Sequence, residues 1–422
     1  MRGIANIKIC LIIVLGLIGQ LQAQNHLSSP YSRFGLGELN LRNSHANTSM
    51  GGVSYAHKQE TAINFLNPAS YAAFDSLSSL VDAAFSYKYH ALEENTIKQT
   101  GGTMSFDYLA LGVSIVSRWS TVFGFQPYSF VNYNLEELLA WQDTIHVSKN
   151  HTGTGGLYQF YLGNAVRIYK ELSIGFNASY LFGNYTKNQI VNFSDELYLN
   201  YNKNNHTTIN GALFSFGTQY FIPIKKHRLG MGITYTPSIP TVFAKQSNIQ
   251  HNYINTTSGE SMIDTLFWYE NKKTLVNLPQ IIGVGISWSD AKYFVGFDFT
   301  WSNWSRFQIG NISDTLKDSY KYALGGSIVP NPTATKYVAK IKYSLGVYYE
   351  LTSLYLNETQ IDKLGLNVGL SFPMKKTKTR FNVCFEYGQW GTLTNNLLQE
   401  TYFLTTFSIA LHERWYQRRK LD

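Results

Sequence analysis

Cysteine is almost missing from this 422-residue chain: of two, Cys10 lies in an N-terminal apolar stretch and only Cys384 follows it. A chain exported past that stretch has no intramolecular disulfide, no cysteine-based metal site and no cysteine to take a lipid anchor. Charge is scarce too, at 15% Asp, Glu, Lys and Arg, against roughly 25% in soluble domains. After the N-terminus no apolar run approaches the ~20 residues that a membrane-spanning helix needs. The 10 histidines are dispersed from His26 to His412 without H-x-x-x-H or H-E-x-x-H spacing, which leaves a metal hydrolase without ligands. Gly283-Val284-Gly285 and Gly101-Gly102 lead into no phosphate-binding pattern, and within strands such glycines mark close packing or a bend. The formal charge of +8 falls to +6 once Arg2 and Lys8 leave with the signal described below. No basic run is interleaved with aromatics, so nucleic acid is not an expected partner.

What is present has a clear order. Arg2 and Lys8 precede an apolar core from Ile9 to Ile18, and Leu21-Gln22-Ala23 stands ahead of Gln24; this is the layout of a cleaved export signal over residues 1–23. The remainder holds most of 30 Tyr, 26 Phe and 33 Gly with only 10 Pro, a supply that aromatic girdles at two membrane interfaces would use. Apolar and small polar residues then alternate with a period of two. From Leu172 to Gly183, Leu172, Ile174, Phe176, Ala178, Tyr180 and Phe182 oppose Ser173, Gly175, Asn177, Ser179 and Gly183, and only Leu181 breaks the pattern. Similar alternation recurs from Leu80 to His90, Leu109 to Ile115, Tyr158 to Ile168, Leu229 to Tyr235, Tyr293 to Trp301, Ile341 to Leu351, Leu364 to Phe372, Phe381 to Tyr387 and Phe403 to Leu411. Less regular segments at Thr121 to Tyr133 and Gly211 to Ile222 fill the gaps.

Strands that show oily side chains to lipid and small polar ones to a lumen alternate in this way. A soluble β-sandwich also alternates, but it would place Lys and Glu on its outer face, and here they are scarce. The expected fold is therefore all-β, a transmembrane antiparallel β-barrel of about 14 strands. Short connections at Tyr169-Lys170-Glu171, Lys225-Lys226-His227 and Asp290-Ala291-Lys292 read as periplasmic turns. Glu136 to Gly153, Lys187 to Asn205, Gln246 to Lys273 and Ser305 to Ser319 read as extracellular loops. The basic end, with Arg414, Arg418, Arg419 and Lys420, reads as membrane-proximal, and His412-Glu413 as a satisfied polar pair.

Residues 24–75 differ from the rest, being rich in small residues with little alternation, and are expected to form a separate unit ahead of a barrel over 76–422. This segment holds Met50-Gly51-Gly52-Val53-Ser54-Tyr55-Ala56 and then Asn64-Phe65-Leu66-Asn67-Pro68-Ala69-Ser70. It resembles the hatch of FadL-type outer-membrane transporters of long-chain fatty acids and other hydrophobic compounds. The match turns on Asn67, Pro68 and Ala69, placed after a glycine-containing stretch and shortly before the first strand. Leu278-Pro279-Gln280, the stretch Trp301-Ser302-Asn303-Trp304-Ser305-Arg306-Phe307 and the paired strands from Leu157 to Gly183 agree with it. The chain does not end on the aromatic residue common at barrel C-termini, which marks a divergent member.

The resemblance implies passive uptake of a hydrophobic small molecule through a plugged lumen in the cell outer membrane, by a monomer in contact with outer-membrane lipid, with no cofactor and no catalytic group. Phe34, Leu36, Met50, Val53, Phe65 and Leu66 are then candidate ligand contacts, or they only pack against the barrel interior. It further implies an inward kink in an early strand with a lateral exit to lipid. Pro127 lies inside a candidate strand where it cannot donate to the ladder, and is the candidate for that kink; a strand end or loop is the alternative. A barrel that holds a protein partner of a secretion system is the second functional reading. A lipid hydrolase would need a Ser or His with an acid partner that the sequence does not assemble. Mass spectrometry of the exported protein should find Gln24 as its first residue.

Overall fold

A computed structural model describes residues 29–40, 44–94, 97–141, 145–195, 197–256, 259–310, 312–313, 316–375 and 377–414. The export signal and the basic cluster beyond Arg414 lie outside the described residues. Fourteen antiparallel strands close into a barrel. They are β1 (Ser78–Glu94), β2 (Ile97–Val116), β3 (Trp119–Trp141), β4 (Ile145–Tyr169), β5 (Leu172–Phe193) and β6 (Asn200–Ile224). Next come β7 (His227–Thr236 continuing as Val242–Thr256), β8 (Gly259–Asn277 continuing as Ile281–Ser289), β9 (Tyr293–Ser302) and β10 (Ser319–Ile328). The wall ends with β11 (Lys342–Leu356), β12 (Thr359–Pro373), β13 (Arg380–Gly391) and β14 (Gln399–Arg414). Pairing of Gln399 to Arg414 with Glu93 to Ser78 joins the last strand to the first. No helix among the described residues is long and apolar enough to cross a membrane.

The alternation sets which side chains face out. Ile174, Phe176 and Tyr180 on β5 are exposed on the outer face, whereas Ser173 and Asn177 are buried inside. The same division holds at Val284, Ile286 and Trp288 on β8 and at Leu364, Leu366 and Val368 on β12. A continuous outward belt of this kind is stable only against hydrocarbon. Leu181, the one break in the β5 pattern, points inward and is fully buried.

The long connections are not loops. Glu136 to Gly153 and Lys187 to Asn205 run largely as strand, extending β3 through β6 into tall hairpins. Gln246 to Lys273 does the same for β7 and β8. These polar stretches carry enough Thr, Tyr, Ile and Val to continue the ladder, and their Asn side chains bond across strands, as Asn248 does to Asn205. Strands of 22 to 25 residues result in β4, β5 and β6, about twice the length that a tilted strand needs to cross a bilayer. Among the described residues of the fourth stretch, Gln308–Ile309 and Ile312–Ser313 form a small hairpin.

Described residues ahead of β1 lie within the barrel, from Lys58 beside Glu171 of a short turn to Tyr31, whose hydroxyl donates to Leu398 O at the opposite end. This hatch has a short helix, His45–Thr48, and a 3-10 turn, Pro68–Ala73. At Gly51 and Gly52 the backbone takes φ of +71° and +94°, which only glycine adopts without strain, and their N–H groups close the helix on Thr48 O and Asn47 O. Little of the hatch pairs regularly, so its buried backbone must find other partners. The wall supplies them: Asp298 Oδ2 accepts from Ser54 N at 2.6 Å and Tyr55 N at 2.9 Å, Gln219 Nε2 donates to Tyr55 O at 2.9 Å, and Asn177 Nδ2 donates to Phe65 O at 3.0 Å. Inward glycines let the two backbones touch. A Cβ on Gly346 would stand 2.0 Å from Met50 C, one on Gly232 1.9 Å from Tyr55 O, and one on Gly175 2.6 Å from Pro68 O.

Two predictions follow from this docking. Gly346→Val should leave the barrel folded, with heat-modifiable migration intact, while the hatch becomes protease-sensitive and small-ion conductance rises; overpacking of this type costs about 1–3 kcal/mol. Burial in the hatch, with Lys342 adding to it, pushes the His45 pKa down to about 3 and lowers that of His57. A folded pKa below the unfolded value means the unfolded chain takes up protons first, so hatch protection should be full above pH ~6.5 and fall as pH drops toward 3. His45 costs up to ~1.4 kcal/mol per pH unit in that window, His57 acts in the same direction, and the double variant His45→Gln, His57→Gln should flatten the dependence in a protease-protection assay.

Candidate functional site: the lumen and an open seam

Between β2 and β3 the wall is incomplete. Their ladder begins at Val116↔Trp119 and stops at Leu109↔Phe125, although both strands continue far beyond. Pro127 sits in β3 just after this point. It pairs with Tyr158 on the other edge, and the next pair is Ser129↔Leu157, so Tyr128 is an extra residue in a bulge. The bulge shifts the alternation: Val122 faces in before it and Val131 after it, both fully buried. Among the described residues no strand pairs with the remaining edge of β2, Ile97 to Tyr108.

The matching edge of β3 is taken by the hatch instead. A two-residue hatch strand, Glu38–Leu39, pairs with Phe130 and Ser129. Asn40 N donates to Tyr128 O at 2.9 Å and Asn132 N donates to Ser32 Oγ at 3.2 Å. Glu38 also reaches Lys88 on β1 at 3.6 Å, and Lys88 lies 2.6 Å from buried Glu400 on β14.

A cavity of about 2070 Å³ meets the seam from both sides. Its lining includes Phe34, Leu36, Phe65, Leu66 and Tyr161 within the lumen, and Phe85, Phe106, Phe125 and Pro127 at the opening. Ring contacts of 5.5 Å between Phe85 and Phe106 and 5.8 Å between Phe106 and Phe125 form an aromatic sill where the ladder ends. Met50 and Val53 do not line this cavity; both are fully buried against Ala323, Tyr348 and Phe294. Asn67, Pro68 and Ala69 are also behind it. Asn67 Oδ1 accepts from Ala69 N at 3.1 Å and its Nδ2 donates to Tyr55 O at 2.7 Å and Thr218 O at 3.2 Å. The tripeptide therefore anchors the hatch to β6 and, through Pro68, to β5.

Two features of the lumen were not read from the sequence. One is an apolar layer to which six consecutive strands contribute Val131, Leu157, Leu181, Ile209, Val242 and Val276, packed with Leu36. Three of these sit beside a glycine on the next strand, at Val131↔Gly155, Leu157↔Gly183 and Leu181↔Gly211. The broken alternation at Leu181 was its only visible signal. The other is a polar layer opposite, where Glu386 accepts from Tyr348 OH at 2.7 Å, Tyr402 OH at 2.9 Å and Asn367 Nδ2 at 2.9 Å. Lys88 lies 4.9 Å from the centre of the Tyr402 ring and Lys363 lies 5.1 Å from that of Trp390, distances at which a ring face attracts a cation. Such partners are far apart in sequence and invisible to spacing.

His412 is not paired with Glu413. It faces inward and its Nε2 lies 3.2 Å from Asp75 Oδ2, at the end of the hatch, where Lys378 also binds. Neighbouring residues of a strand point to opposite faces, so a His-Glu dipeptide there cannot pair side by side. Among the described residues no group of His, Cys, Asp and Glu could hold a metal ion.

The fold has known counterparts. The fold is similar to that of the CymD monoaromatic hydrocarbon channel, with 13% identity over 90% of this chain and 99% of that one and a TM-score of 0.59. A FadL homologue of Pseudomonas aeruginosa is 10% identical over 90% of this chain and 100% of its own, with a TM-score of 0.59. The toluene transporter TbuX of Ralstonia pickettii is 11% identical over 87% and 97%, with a TM-score of 0.58. These place the barrel in the FadL-type fold as a divergent member. No curated protein sequence matches the chain. A sequence model of the BamG family matches residues 6–422, nearly the whole length, and the protein therefore belongs to the BamG family.

Proposed function

We propose that the protein is an outer-membrane barrel through which a hydrophobic small molecule, such as a long-chain fatty acid or an aromatic hydrocarbon, passes between the lumen and the bilayer without energy input. The observation that carries this reading is the seam. A ladder that stops at Leu109↔Phe125 leaves unpaired backbone at membrane depth, which is tolerated only where it lines a cavity or is covered by protein. Here the cavity and the hatch strand do both. Phe34, Leu36, Phe65 and Leu66 offer the apolar contacts from the hatch, Met50 and Val53 hold it from behind, and Pro127 with Tyr128 turns β3 out of register with β2. Binding draws on burial of apolar surface at about 25 cal/mol per Å². The similar barrels described as a hydrocarbon channel and a toluene transporter support the same direction.

A second reading, a barrel that holds a protein partner, is favoured by one observation: the tall polar hairpins of β3 to β8, far longer than a membrane requires. Uptake separates the two. Vesicles or cells containing the protein should accumulate labelled oleate or toluene faster than those without it. Deletion of Tyr128, which removes the extra residue and lets the β2–β3 ladder continue, should cut that rate about tenfold while the barrel still folds. Equal uptake with and without the protein would contradict passage and leave the partner-holding reading.

A further inference from the structure

The short-turn end of the barrel carries a circle of exposed cations. Each of the six connections at the short-turn end carries an exposed cation: Arg118, Lys170, Lys225, Lys292, Lys336 and Lys375, Lys336 on the one long connection, 329–341. Among the described residues none of these six has a carboxylate within ion-pair distance. The turn carboxylates that could serve are engaged elsewhere. Glu171 is 3.5 Å from Lys58 of the hatch, and Asp290 Oδ1 accepts from Lys292 N at 2.6 Å and Tyr293 N at 2.7 Å. At the long-hairpin end Lys98 pairs with Glu93 at 3.0 Å and Lys149 with Glu137 at 3.8 Å, and cations there do not recur on every connection.

Immediately inside these turns the outer wall presents amphipathic rings, Trp119, Tyr169, Trp288 and Tyr293, all exposed. Rings of this type sit at the boundary between hydrocarbon and headgroups, which places the six cations at headgroup depth. A soluble acidic protein would bind one arc of this circle. A lipid leaflet meets all of it.

We propose that the short-turn rim is a binding surface for anionic phospholipid headgroups of the adjoining leaflet, each exposed cation on a turn meeting a phosphate that no side chain of the protein supplies. The proposal rests on the barrel spanning a membrane with its short turns at one face, but not on the passage of any ligand. Salt should weaken the attraction, because exposed charges are screened within about 8–10 Å at physiological ionic strength.

The full-length protein reconstituted in nanodiscs of equal phosphatidylglycerol and phosphatidylcholine, then released for native mass spectrometry, tests this directly. The wild type should retain phosphatidylglycerol over phosphatidylcholine by about tenfold, an excess that one or two such charges account for. Lys225→Glu, Lys292→Glu and Lys375→Glu together should abolish the excess, whereas Lys98→Glu with Lys149→Glu at the other end should preserve it. Equal retention of the two lipids by the wild type, or an excess that survives the rim variant, would overturn the proposal. Because uptake is not the readout, a protein that fails to pass any ligand yet selects the anionic lipid counts against the proposed function alone.

Discussion

An irregular peptide buried inside a barrel has no ladder of its own, and the rest of this structure depends on how its backbone groups are satisfied. An unpaired amide or carbonyl in such a place costs free energy of order 1–3 kcal/mol. The wall answers with two residue types. Asp298, Gln219 and Asn177 aim hydrogen-bonding groups at Ser54, Tyr55 and Phe65, and Gly175, Gly232 and Gly346 withdraw their side chains so that the hatch can reach them. The small polar inner faces of the strands are therefore the complement of one particular peptide, and not a generic aqueous lining.

The seam between β2 and β3 follows from the same economy of hydrogen bonds. Pro127 lacks an N–H, Tyr128 is surplus to the ladder, and the strand beyond them is offset from its neighbour. The exposed edge would be costly against hydrocarbon, so the hatch contributes Glu38–Leu39 to it. Hatch and seam are thus parts of one solution: the segment inside the lumen also covers the edge that the bulge has freed, and the Glu38–Lys88–Glu400 contacts tie that cover to β1 and β14.

Much of this was legible in the sequence because a lipid-facing barrel writes its geometry with period two. The outward set on β5, from Ile174 to Tyr180, and the glycine- and asparagine-rich inward set could be assigned from alternation alone, as could the short turns. The tall hairpins could not, because polarity does not distinguish a solvated strand from a loop: Lys187 to Asn205 is hydrophilic yet runs largely as strand, where solvated Asn and Thr side chains sit on a ladder as well as apolar ones do. Pro127 could be marked as anomalous but not resolved, since the consequence depends on which neighbour keeps its register. The pairing of His412 with Asp75 and the cluster around Glu386 were beyond reach, joining residues 337 and up to 54 positions apart. Leu181 shows how an exception carries information: the one residue that violates its strand's pattern belongs to the apolar layer that packs on Leu36 of the hatch.

The wall parts above Leu109 and Phe125, and the hatch occupies the freed edge. Electron cryomicroscopy of the protein in a lipid nanodisc, at a resolution that traces the main chain, tests it most directly. The predicted result is a β2–β3 ladder that ends at that pair, with main-chain density for Glu38–Leu39 against Ser129–Phe130. A ladder unbroken from Trp119 to the top of β2, with the hatch strand detached from β3, would contradict it.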